Sequence, residues 1–224
     1  MFDEAHHDRT QVHPTLIESW IKDRFSIWKH SAMRSISNQT RKDLVYFLCC
    51  NAETKEIIDP IFRKHVSDDR IVLDYSETIE SRKRILQIGD NTEEVFLVRL
   101  DSDDMYHPEA GERLLNTRNS SGWYAWRRGY GLRYETGHMW RYDCKGVGPF
   151  FAHRMPGHIF STYPVIKECS HAEVHKFNPT IMDHGHFIVG VHGMNTTTHI
   201  RNKCFIEKMY KPEKTNVLSE FKLI

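Results

Sequence analysis

Apolar residues in the first part of the chain recur at helical spacing. Leu16, Ile17, Trp20, Ile21, Phe25, Ile27, Trp28, Met33 and Ile36 predict a helix over 15–38, with Pro14 in its first turn. "DLVYFLCC" (43–50) is a continuous apolar run and reads as a short strand buried on both faces. "AETKEIIDPIFRKHV" is amphipathic and predicts a helix broken or kinked at Pro60. "RIVLDY" (70–75) is a second strand, and "SETIESRKRILQIG" a helix ending at Gly89. "EVFLVRL" (94–100) is a third strand, and "PEAGERLLNT" the helix after it. Helix and strand alternate with short connections, the pattern of βαβ units. The predicted class is α/β, a mostly parallel sheet flanked by helices.

From residue 117 the pattern changes. "GWYAWRRGYGLRYETGHMWRYD" and "GPFFAHRMPGHIFSTYP" are strong β formers interrupted by glycine. They predict an antiparallel, loop-rich C-terminal half covering one side of the sheet. "FIVGV" (187–191) is a further short strand, and the basic stretch 198–224 a terminal helix or arm. The 224 residues fit one domain, and no linker or repeat divides them.

The formal charge of +1, from 31 basic and 30 acidic residues, gives no global field for nucleic acid. A charged ligand must therefore be held by a local cluster. The five cysteines contain no CxxC pair and read as free thiols in a reducing compartment. No apolar run reaches 18 residues, and the first residues lack the apolar core of a signal peptide. A cytoplasmic protein is expected, with no nucleic-acid partner and no transmembrane segment. Peripheral membrane association stays open.

The acidic cluster follows the third strand: "DSDD", with Asp101, Asp103 and Asp104. Carboxylates this close repel one another, and a hard divalent cation relieves the repulsion. Ligands of α/β sheets bind outside the strand ends. Mn²⁺ or Mg²⁺ bridging to a diphosphate is the expected partner. The plainer alternative is an acidic turn capping the helix near Pro108, above all for Asp104. Arg99 could pair with one of these carboxylates or with phosphate.

"RLDSDD" (99–104) resembles the Asp-x-Asp motif of GT-A-fold glycosyltransferases, and more narrowly the rhamnosyltransferase family. "WIKDRFSIWKHSAMRSISNQT" (20–40) is similar to that family's long helix and its Gln-Thr. The similarity covers roughly residues 15–115. It implies a GT-A-like, Rossmann-like fold and a metal-dependent glycosyltransferase. Such an enzyme moves a sugar, with rhamnose suggested, from a nucleoside-diphosphate sugar to a glycan or other hydroxyl acceptor. It would divide the chain into a nucleotide-sugar and metal half (12–116), an acceptor half (117–198) and a tail (199–224). Carried over, Asp101 and Asp103 bind the metal and His192 completes its sphere. Arg99, Asp101 and Ser102 contact the nucleotide sugar.

Glycosyl transfer with inversion needs a base for the acceptor hydroxyl, usually a carboxylate. Asp183 is preferred, ahead of Asp143 and Glu135. Trp123 and Trp126 are the candidate acceptor-binding platform, with packing as the alternative. Such domains usually open with an apolar strand, which "MFDEAHHDRTQVHP" does not supply. Either the chain starts late or that strand is reduced to the region of Met1 and Phe2. Two rival functions are a zinc hydrolase built on Asp183, His184 and His186, and an inactive sugar- or nucleotide-binding module.

Overall fold

The computed structural model describes residues 14–75, 93–118, 120–144, 150–160, 174–182, 187–193 and 204–224. The expected first helix forms as two: α1 (Pro14–His30) and α2 (Ala32–Ser37). The break falls at Ser31, whose Oγ donates back to the Ile27 carbonyl at 2.6 Å. Such a hydroxyl competes for the helical carbonyl and bends the helix. Ile21, Phe25, Trp28, Ala32 and Ile36 face inward and pack on Leu48, Cys50, Ile58 and Ile71. Trp20 does not belong to that face, being 44% exposed.

Strand β1 (Tyr46–Cys49), helix α3 (Lys55–His65) and strand β2 (Ile71–Asp74) form the βαβ unit that the sequence predicts. β1 and β2 pair in parallel, Tyr46 opposite Ile71 through Cys49 opposite Asp74. Pro60 lies inside α3. The predicted helix over 76–89 lies outside the described residues.

The expectation of a mostly parallel sheet is corrected beyond this unit, because the sheets are mixed. β1 and β2 stand as a two-stranded sheet. The third predicted strand, β3 (Glu94–Val98), pairs antiparallel with β8 (Phe151–Pro156). β5 (Trp123–Trp126) follows in the same four-stranded sheet, antiparallel to β8, and then β9 (Thr180–Met182), parallel to β5. A five-stranded sheet runs in the order β11 (Phe205–Lys208), β7 (Met139–Asp143), β6 (Arg128–Arg133), β10 (Phe187–Val191), β4 (Met105–Tyr106). Only β6 and β10 run parallel there. The second half therefore supplies most strands of the two larger sheets, joined by β3 and β4 from the first half, and does not merely cover one. An apolar run buries equally well beside a parallel or an antiparallel neighbour, so strand direction is not written in it.

Tyr106, Tyr124, Trp126, Phe150, Phe187 and Val189 form one core between the two larger sheets. The predicted helix after the acidic segment is α4 (Ala110–Asn116). The tail supplies β11 and a C-terminal helix, Lys211–Glu220. Among the described residues no helix is long and apolar enough to cross a membrane.

Candidate functional site: a buried ionic cluster

The acidic segment is the crossing between the two larger sheets. β3 ends in the four-stranded sheet, with the Arg99 N–H still donating to the Phe151 carbonyl at 3.1 Å. The chain turns over 101–104, where the Asp104 N–H reaches the Asp101 carbonyl at 3.2 Å, and enters β4 of the other sheet. Asp103 and Asp104 are 2% and 0% exposed, so this is no solvated turn.

Three further segments hold it. The first is the set Ser31, Ser35 and Gln39, polar residues four apart in and around α2. Ser31 Oγ donates to the Ser102 carbonyl at 3.0 Å. Ser35 Oγ accepts from the Tyr106 N–H at 2.8 Å and donates to the Tyr106 carbonyl at 3.1 Å. Gln39 Nε2 donates to the His107 carbonyl at 2.9 Å, and its Oε1 accepts from the Gly111 N–H at 3.3 Å. The second is β10. A Cβ on Gly190 would collide with the Asp103 carbonyl and lie 2.7 Å from Tyr134 Cε2, so only glycine admits this approach. The Gly190 N–H donates to Asp104 Oδ1 at 2.8 Å. The third is Tyr134, whose hydroxyl donates to the Asp103 carbonyl at 2.8 Å.

Inside this frame lies an ion cluster from distant parts of the chain. His192 Nε2 is 3.3 Å from Asp103 Oδ2, with each side chain 3% exposed. Arg24, on α1, places Nη1 2.8 Å from His192 Nε2. Its Nη2 donates to Ser102 Oγ and lies 4.0 Å from Asp103 Oδ1. The cluster sits at the C-terminal ends of the parallel pair β6 and β10. There the Tyr134 N–H meets the Val191 carbonyl at 2.9 Å, and Glu135 Oε1 accepts from the Gly193 N–H at 2.7 Å. The acidic turn after β3 thus meets the end of β10. Outside the cluster, Trp20 has the Arg24 guanidinium 5.9 Å from its ring centre.

Asp103, Ser102 and His192 come together, while Asp101 turns elsewhere. Its Oδ1 accepts from Arg99 Nε at 3.1 Å and Nη2 at 3.0 Å. Asp104 does not cap α4, which begins after Glu109 without a side-chain cap. Asp101, Asp103 and His192, expected as the residues of a metal centre, do not stand together as three ligands of one ion. Among the described residues no group of three His, Cys, Asp or Glu side chains is placed to hold a metal ion. Asp101 is committed to Arg99, and a guanidinium already faces both Asp103 and His192.

The acceptor platform is corrected too. Trp126 is 1% exposed and packs edge-on against Tyr106 at 5.0 Å. Trp123 lies parallel to His153 at 4.1 Å and to Phe177 at 4.6 Å. Two rings that close to one centre cannot share a face, so both faces of Trp123 are covered. Arg127 and Arg128 bind Asp143 at 2.9 and 3.0 Å, which engages that carboxylate. Asp183, His184 and His186 lie outside the described residues, and the zinc site proposed on them lies there too. The cavity lined by Arg128, Tyr130, Arg141 and Asp143 shares no residue with the cluster.

Sequence reasoning missed Arg24 and Trp20. The signal was present for Arg24: it stands seven residues, two helical turns, before Ser31 and so leads into the set Ser31, Ser35 and Gln39. No protein-family model, curated protein or solved structure matches the chain.

Proposed function

We propose that the chain is a glycosyltransferase acting on a nucleoside-diphosphate sugar, as the resemblance of "RLDSDD" implies, with rhamnose as the suggested donor sugar and a glycan or other hydroxyl acceptor. The observation that carries this reading is the buried cluster of Arg24, Ser102, Asp103 and His192. Buried charges are costly unless paired, and such clusters gather at functional sites. Arg24 and Arg99 are the cations at this crossing that could meet a diphosphate, and guanidinium suits phosphate oxygens. Trp20, exposed beside Arg24, offers a ring face for a base or sugar in place of the covered Trp123 and Trp126. Glu135 is exposed and held at the same strand ends by the Gly193 N–H. It is the described carboxylate best placed to take the acceptor proton. In the transfer the bond from the anomeric carbon to phosphate oxygen breaks, and the bond to the acceptor oxygen forms. The nucleoside diphosphate leaves with the electron pair, and the acceptor proton passes to the base.

The test is a thermal-shift panel of UDP, GDP and dTDP sugars, each with Mn²⁺ and with chelator. At least one sugar nucleotide should raise the melting temperature by mass action. Glu135→Gln should keep that shift and lose nucleoside-diphosphate release by about 100-fold or more. A shift without release in the native protein would make the chain a binding module. No shift with any member would overturn the proposal.

A further inference from the structure

We propose that Arg24 is the resident cation of the cluster and sets its response to metals, a divalent ion entering only by displacing it. The inference stands without the transferase reading. A guanidinium carries donors only, so His192 Nε2, 2.8 Å from Nη1, must accept with its lone pair. That lone pair is the one a metal would use. Asp103 Oδ2 stands 3.3 Å from the same nitrogen. Ligands about 2.1 Å from an octahedral ion are separated by about 3 Å along one edge of the polyhedron. Nitrogen and carboxylate thus already stand at the spacing of two ligands around one ion. Left to themselves, two acceptors this close and this buried would repel. The positive charge that reconciles them is the guanidinium, 4.0 Å from Asp103 Oδ1.

Arg24 is no wandering surface side chain. It is 13% exposed, and Ser31, directly after its helix, holds the Ser102 carbonyl of the acidic segment. Among the described residues no third ligand completes a set with Asp103 and His192, and Asp101 is paired with Arg99. The cluster is therefore built as a cation site with the cation supplied by the chain.

Mn²⁺ alone is the probe, titrated into chelator-treated protein and followed by electron paramagnetic resonance. The native protein should show no saturable uptake at the cluster. Arg24→Gln should bind Mn²⁺ tighter than the native protein by about tenfold or more, since it removes a unit charge facing the ligands. The double variant Arg24→Gln/His192→Ala should lose that gain, and Arg24→Lys, which keeps the charge, should not show it. Native protein binding Mn²⁺ as tightly as Arg24→Gln would overturn the proposal, and so would a folded Arg24→Gln with no gain. Should Arg24→Gln fail to fold, the native chain decides. Saturable uptake that His192→Ala abolishes refutes the proposal, and its absence upholds it.

Discussion

His153 sits against the Trp123 ring with planes 8° apart, and burial pushes its pKa down to about 4. In an unfolded chain histidine titrates near 6.5, so between about 6.5 and about 4 the unfolded state binds a proton that the folded state refuses. Folding stability therefore falls as pH drops through that window. His153→Gln should flatten the slope, read as a smaller loss of urea midpoint between about pH 7 and about pH 4.5. Part of the slope should persist, because burial lowers the His107 pKa in the same direction. The same residue shows what residue type can and cannot say. Trp123 and Trp126 carry rings that stack, which the sequence declares. Whether a ring face stays open depends on His153 and Phe177, which arrive from β8 and from the turn Val174–Phe177.

At the scale of elements, the break between α1 and α2 governs the site. Ser31 ends α1 and holds the Ser102 carbonyl, and Ser35 bridges both backbone groups of Tyr106. Ser35→Ala would leave the buried Tyr106 N–H without that acceptor. It should cost about 1–3 kcal/mol in urea denaturation, the penalty of an orphaned buried donor. The apolar period of this helix was legible because it repeats every few residues. The polar set was legible too, as serines and a glutamine four apart, although the meaning of the set needed the segment that it binds. β1, β2, β3 and β10 were all visible as apolar runs. Their partners were not: β3 pairs antiparallel with β8, which follows it by more than fifty residues.

At the scale of the whole molecule, the C-terminal helix closes the fold over α2 and the five-stranded sheet. Phe221, 2% exposed, meets His107 edge-on at 5.3 Å and Tyr130 at 6.3 Å. Arg34 donates to the Lys222 carbonyl at 2.8 Å. Phe221→Ala should destabilise the protein by about 3–5 kcal/mol, measured as a fall in the denaturation midpoint. The α/β class, the helices, the strand runs and the acidic "DSDD" are local in origin. They follow from side-chain period, turn chemistry and residue charge over a few neighbours, and so they can be read along the chain. The mixed direction of the sheets, the covered faces of Trp123 and the meeting of Arg24 with His192 across 168 positions are not local. They depend on the path of the chain between distant segments. That path is set by which apolar faces find one another in the common core, and by the single glycine, Gly190, at which the acidic turn can approach its strand.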